Sequence, residues 1–405
     1  MRRLALLLLF LAIPVVALAQ DEGGGIDVID VSGPLDRSAL EFMTESIELA
    51  AANGQVLAVL QINSKAVLDG EAYDKLVDVL ASPPLPVALW VGPAPAAAYG
   101  GAALMSIDAG EAAISPGSEI GHLNPIVLGE DRLETIGPRD LLPAEDTGLA
   151  LQPTLRQYLQ DLDGEMFTTA NGPVTVFTIR EFGDGVTLKT TTFRKPGLGT
   201  RFFRLAVTPE AAFFFLVIGL SIVTFEFFAL GPGVAAGVAS ISLLLAGWGV
   251  VNLPVRWWAL ALAITGWAVL TVAHQKGGVL AMTVTGAILL QLAGMFFVDG
   301  AGQIDPRWWL VLPSVLGVLF FFLLAMPTVQ RARLSTQTIG RDSLVGHTGR
   351  ALTEFEPNGL VEVNGARWRA TAHREAGIAD GDEITVIGVD GLYLEVDRLE
   401  PDREI

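Results

Sequence analysis

The sequence predicts a multi-domain membrane chain: an α/β domain, about five transmembrane α-helices, and a small all-β C-terminal barrel. Three observations predict it. Residues 211–329 hold five apolar stretches separated by short polar breaks, residues 26–165 alternate strand-like and helix-like runs, and residues 341–400 return to two-residue alternation with glycine turns.

The apolar stretches are Ala211–Ala229, Val234–Val251, Trp257–Ala273, Val279–Val298 and Trp308–Met326. Each is close to the roughly 20 residues a helix needs to cross about 30 Å of hydrocarbon. Lipid offers no partner to a peptide group, so such runs must satisfy their own backbones as helices. Trp257-Trp258 and Trp308-Trp309, each preceded by an arginine, stand where helices meet headgroups.

Composition narrows the chemistry. The chain of 405 residues is 51% hydrophobic and 17% charged, with a net charge of −18 and no cysteine. Disulfides, thiolate nucleophiles and cysteine metal sites are thereby excluded. The acidic balance argues against nucleic acid, since phosphate binding needs clustered Lys and Arg. No cofactor or metal motif is found.

Met1-Arg2-Arg3, the apolar run Leu4–Ala17 and the small-residue site Ala17-Leu18-Ala19 describe a secretory signal peptide over 1–20, with an uncleaved anchor as the alternative. Either way the following domain is expected outside the cytoplasm. Five later spans return the C-terminus inside, where Arg331, Arg333 and Arg341 follow the last span. Arg194, Lys195, Arg201 and Arg204 lie on the wrong side for that bias.

Within 26–165, Ile26–Val31 is a short strand whose buried face is ambiguous. Ser38–Ala52 has a helical apolar period; Val56–Ile62 and Pro86–Val91 read as strands, Asp69–Leu80 as an amphipathic helix, Ala94–Met105 as a small-residue helix, and Ala112–Ile114 as a strand. Repeated βαβ units argue for a parallel sheet with helices on its faces. Residues 166–208 read as a Thr-rich β connector, a hairpin appendage leading to the membrane. Residues 330–340 form a polar linker. In 341–400, Arg367–Ala372, Glu383–Val389 and Leu392–Asp397 read as strands, with turns at Asn364-Gly365 and Asp390-Gly391. About five short strands suggest a barrel of the OB type. From residue 335 onward it carries 7 Arg against 14 Asp+Glu, net −7, which favours a protein partner over nucleic acid. Trp368 and Tyr393 are either contact anchors or, for Trp368 above all, core residues.

The order of these parts, with Ile62-Asn63-Ser64, Ser115–Gly121, Phe225-Glu226-Phe227 and Gly231-Pro232-Gly233, resembles the long form of the NfeD family. That resemblance implies a ClpP-class, crotonase-like serine protease domain, a membrane block and an OB-type barrel, with stomatin- or flotillin-type membrane partners. It further implies a Ser nucleophile, a Lys base and a Gly-Gly oxyanion pair. Carried over, the nucleophile position falls on Gly100, or on Tyr99 with a one-residue gap. The base position falls near Thr154, and no lysine lies between Lys75 and Lys189. The oxyanion glycines correspond to about Ala66-Val67, whose Cβ atoms hinder a turn worth about 3 kcal/mol to an acyl-transfer transition state. The stretch between Pro143 and Gly164 is also shorter than in the family. A Ser–Lys dyad needs an amine within reach of the hydroxyl, so no catalytic residue is assigned. Ser106 or Ser118 with His122 would be the relocated alternative.

Within the membrane block, Glu226 is costly at its depth. It is expected either to pair with His274 or Lys276 and fix helix packing, or to snorkel to the interface. No further acidic or basic residues line the spans, which disfavours an ion-coupled transporter. The sequence thus predicts a multi-pass cell-membrane scaffold with an extracytoplasmic, catalytically silent domain and a cytoplasmic barrel, forming a homo-oligomer or a complex with stomatin- or flotillin-like proteins. An active membrane-bound serine endopeptidase is the competing reading.

Overall fold

The structure is a computed structural model and describes residues 24–130, 142–182, 185–229, 233–328, 341–372 and 376–399. The leader expected at 1–20, the linker at 330–340, Arg331, Arg333, Gly183-Asp184 and Gly231-Pro232 lie outside the described residues. Two compact units divide the chain after Met326.

The first unit opens with the α/β domain. Its elements are β1 (Ile26–Ser32), α1 (Arg37–Ala52), β2 (Leu57–Asn63), α2 (Gly70–Ala81), β3 (Val87–Val91), β4 (Ala97–Tyr99), α3 (Gly101–Asp108), β5 (Ala112–Ile114), β6 (Glu119–Gly121), β7 (Leu142–Pro143), β8 (Ala150–Leu151) and α4 (Leu155–Asp161). The connector adds the hairpins β9 (Met166–Thr169) with β10 (Gly172–Thr175) and β11 (Ile179–Phe182) with β12 (Gly185–Leu188), then β13 (Thr191–Arg194) and α5 (Leu198–Arg204). A parallel sheet runs in the order β13-β1-β2-β3-β5-β8, and a second sheet in the order β4-β6-β7.

The ambiguous face of β1 has a simple cause: both faces are buried. Ile29 and Val31 pack with α1 and α2, while Ile26 and Val28 pack with Tyr158, Leu159 and Phe167. Strands covered on both faces lose the polar alternation that would mark one side. Two expectations need correction. The helix predicted over Ala94–Met105 begins only at Gly101, because residues 97–99 pair with β6 instead. Pro93 and Pro95 lack the N–H groups a helix needs there. Nor is the connector only an appendage. β13 joins the main sheet beside β1, with Arg194 donating to Asp27, which is fully buried on β1.

The membrane block comprises α6 (Pro209–Ala229), α7 (Val234–Asn252), α8 (Trp257–Gln275), α9 (Leu280–Met295) and α10 (Trp308–Phe320), the last continued by a π turn over Phe321–Ala325. Four of these helical segments are long and apolar enough to cross a membrane; α9, at 16 residues, is shorter. Its predicted end at Val298 is lost because residues 297–299 fold back. Phe297 O accepts from Arg256 N at 3.0 Å, Val298 bridges Val255, and the Asp299 carboxylate pairs with the Arg256 guanidinium. These contacts return α9 to the side on which α8 begins. Arg307 N donates to the Glu210 carboxylate at 3.1 Å, so α10 starts beside the start of α6.

The second unit is a closed barrel of five strands in the order β14-β15-β16-β18-β17, with β14 (Thr348–Ala351), β15 (Asn358–Val363), β16 (Ala366–Ala372), β17 (Glu383–Asp390) and β18 (Tyr393–Arg398). Asn364 and Gly365 both have positive φ, the two-residue turn that matches strand twist. The second turn is shifted by one residue from expectation: Asp390 pairs with Tyr393, leaving Gly391-Leu392 as the central pair. Trp368 is half-buried against the barrel core, the packing role weighed for it.

Candidate functional site

The candidate site is the turn from β4 into α3. Gly100 stands there with φ +57° and ψ −131°, a conformation glycine adopts without penalty and a serine would not. Its N–H donates to His122 O at 2.9 Å, and Gly101 N–H donates to Ile126 O at 2.8 Å. A Cβ on Gly100 would lie 2.8 Å from Pro125 O, 3.0 Å from the Gln303 Nε2 and 3.1 Å from Ile126 O. The space a side chain at this position would need is already filled.

Gln303 fills it from the other end of the unit, in the loop between α9 and α10. Its Nε2 donates to His122 O at 3.0 Å and to Pro125 O at 2.8 Å, while Oε1 is buried with no hydrogen-bond partner. Only 4% of the residue is exposed. The loop that delivers it is tightly wound: Ala301 and Gly302 have positive φ, Gly302 N–H donates to the Asp305 carboxylate at 2.9 Å, and Gln303 N–H donates to Gly300 O at 2.8 Å. A non-glycine residue held at positive φ, as Ala301 is, costs of order 1 kcal/mol and persists only where surrounding contacts compensate.

A polar cluster borders this turn. The Tyr99 hydroxyl donates to the Glu119 carboxylate, the Lys65 ammonium lies 5.4 Å from the Tyr99 ring centroid, and the His122 ring meets Tyr99 edge-on at 5.2 Å. Burial first, and the carboxylate of Glu119 second, push the Tyr99 phenol above the ordinary tyrosine range. The Tyr99 hydroxyl serves here as the donor to Glu119.

The remaining candidates are engaged elsewhere. Thr154 caps α4, its side chain accepting from Gln157 N–H at 3.3 Å. Ser106 is buried and donates to Ala102 O within its own helix at 2.8 Å. The Ser118 hydroxyl accepts from Ala96 N–H at 3.1 Å. Around the expected oxyanion position, Ala66 N–H donates to Ser64 Oγ and Ala66 O accepts from Leu35 N–H, so this segment is tied into local structure. Among the described residues no group of three or more His, Asp or Glu side chains could hold a metal ion.

The expected pairing in the membrane block does not form. Glu226 accepts from Gly233 N–H at 2.8 Å and so satisfies the first turn of α7. Among the described residues it makes no ion pair. The His274 ring lies against Phe228 and Phe322, at 6.0 and 6.2 Å between centroids, and Lys276 ends α8, exposed. The N–H of Gly233 at the start of α7, not His274 or Lys276, takes the carboxylate. Sequence reasoning missed Gln303 altogether. It lies 181 residues from His122, and a lone glutamine in a Gly- and Ala-containing loop carries no pattern that points to a partner.

Comparison with known proteins places these parts. Residues 210–326 match the NfeD integral membrane domain, and residues 341–398 match the NfeD-like C-terminal, partner-binding domain. Over 445 aligned residues the chain is 22% identical to "Membrane-bound protease PH1510" of Pyrococcus horikoshii, covering 98% of each chain. Among solved structures it is similar to "1510-N membrane protease specific for a stomatin homolog" from the same organism, at 15% identity, 44% of this chain and 96% of that one, with a TM-score of 0.36. The C-terminal domain of "stomatin operon partner protein 1510-C", also from that organism, aligns at 30% identity over 16% of this chain and 98% of its own, with a TM-score of 0.15. With an α/β domain ahead of an NfeD integral membrane domain and an NfeD-like partner-binding domain, the chain has the long-form NfeD architecture.

Proposed function

We propose that this protein is a multi-pass membrane scaffold whose α/β domain is catalytically silent, and that its barrel recruits a stomatin- or flotillin-like membrane protein. The observation that carries the first part is the filled turn at Gly100. A nucleophile needs an exposed side chain beside a base and two free amides. Here the position has no side chain, the neighbouring space holds the Gln303 carboxamide, and Ser106 and Ser118 are bonded to backbone. The second part rests on the partner-binding character of the family's C-terminal domain and on the stomatin specificity named for the similar protease.

For orientation, the expected leader and a reading of all five helices α6–α10 as spans, the shorter α9 included, favour an α/β domain outside the cytoplasm and a barrel inside it. The scaffold works as a homo-oligomer or in complex with its partner, the lipid bilayer supplying the shared plane. Purified full-length chain in mild detergent should leave casein intact, and a pull-down with mass spectrometry should return a stomatin- or flotillin-like companion. The competing reading, a membrane-bound serine endopeptidase, draws on the name of the 22%-identical relative. It requires casein cleavage that disappears in Ser106→Ala or Ser118→Ala.

A further inference from the structure

The short helix α5 joins the α/β domain to α6 and has two unlike sides. At 100° per residue, Leu198, Phe202 and Leu205 fall on one narrow face. They are 81%, 40% and 56% exposed. The opposite side is fixed to protein. The Arg204 guanidinium pairs with the Asp36 carboxylate at 3.0 Å and donates to the carbonyls of Ser32 and Pro34, and Phe203 packs on Trp248 at 5.0 Å between centroids. α5 therefore cannot roll to bury its apolar face.

Two observations fix the depth at which that face lies. Trp248 sits in the last turns of α7, which ends at Asn252, so Phe203 is level with the end of a spanning helix. Leu205 lies four residues before Pro209, where α6 begins, and so within about 14 Å of that start along the chain. The same end of the block carries the exposed tryptophans Trp257, Trp258, Trp308 and Trp309, which mark a headgroup boundary.

The charges nearby are sorted accordingly. Arg194 pairs with Asp27, Lys195 with Asp30 at 3.0 Å and Arg204 with Asp36, all on the α/β domain. Arg201 remains exposed on the flank of the apolar face. The cluster that conflicts with the positive-inside bias is thus mostly spent within the fold.

We propose that α5 is an interfacial anchor. Leu198, Phe202 and Leu205 lie in the headgroup–acyl boundary of the leaflet facing the α/β domain, about 5–10 Å deep, with Arg201 at the phosphates. The partner is a lipid surface, and the anchor sets the height of the α/β domain over the membrane whether or not that domain has any activity. Because the chain lacks cysteine, Leu198→Cys, Phe202→Cys and Leu205→Cys can each carry a single environment-sensitive nitrobenzoxadiazole label. The full chain is reconstituted in phosphatidylcholine–phosphatidylglycerol vesicles with and without brominated acyl chains, with Glu48→Cys on exposed α1 as the reference. Leu198, the most exposed of the three, gives a site at which folding is not at stake. The expected result is blue-shifted emission at the three α5 sites, more than half of it lost in brominated vesicles, with the Glu48 label unaffected. Emission like that of the Glu48 label overturns the proposal. So does a blue shift without bromine quenching, which would show the face covered by protein, a second copy included.

Discussion

The Gln303 carboxamide closes over Gly100, its nitrogen 3.0 Å from where a side chain's first carbon would stand. A loop of the membrane block thereby closes over the turn between β4 and α3. Gly100→Ser should not create an enzyme. The new Cβ would press on Pro125 O at a positive φ, at a cost of about 1–3 kcal/mol. Thermal unfolding of the purified protein should show a lowered midpoint, with casein still uncleaved.

Gln303→Ala removes the two hydrogen bonds that its Nε2 donates to the carbonyls of His122 and Pro125 and should destabilise the unit by about 1–3 kcal/mol. Hydrogen exchange localises the effect. The amides of Gly100 and Gly101, which donate to His122 and Ile126, should lose protection, while amides of β1 and β2 should not. Uniform loss across the domain would mean that Gln303 is not a local closure.

Glu226 serves as a helix cap and not as an ion-pair partner. Glu226→Gln keeps an oxygen for Gly233 N–H and should leave stability nearly unchanged, whereas Glu226→Ala should cost about 1 kcal/mol. Detergent-resistance midpoints of the two variants, compared with His274→Ala, would separate the roles. A large loss on Glu226→Gln, not additive with His274→Ala, would restore the ion pair.

Burial, and secondarily Glu165, hold the Glu111 carboxyl above the usual carboxylate range. A raised folded pKa favours the protonated form, so its contribution is present at acidic pH and lost as pH rises through that folded value. Glu111→Gln should flatten this part of the stability–pH profile, read as unfolding midpoints from mildly acidic to neutral pH. An unchanged profile would remove the assignment.

Much of the fold was legible because single elements follow simple periods. The βαβ alternation, the apolar spans and the Asn364-Gly365 hairpin each have a local cause. What was not legible depended on pairing across the chain. Residues 97–99 carry helix-forming alanines yet join β6, β13 looks like one more Thr-rich hairpin strand yet pairs with β1, and α9 stops short because residues 297–299 bond back to 254–256. In the site, the glycine at position 100 and the lack of any lysine between Lys75 and Lys189 could be read directly. The Gln303 contact could not, because both partners are backbone carbonyls, which leave no trace in residue type.

The most direct test is labelling of the full-length protein in proteoliposomes with a serine-reactive fluorophosphonate, comparing the unaltered chain with Gln303→Ala, Ser106→Ala and Ser118→Ala. The predicted result is no label on the unaltered chain and none on Gln303→Ala, since opening the closure uncovers a glycine. Stoichiometric labelling that vanishes with Ser106→Ala or Ser118→Ala would contradict the account and establish an enzyme.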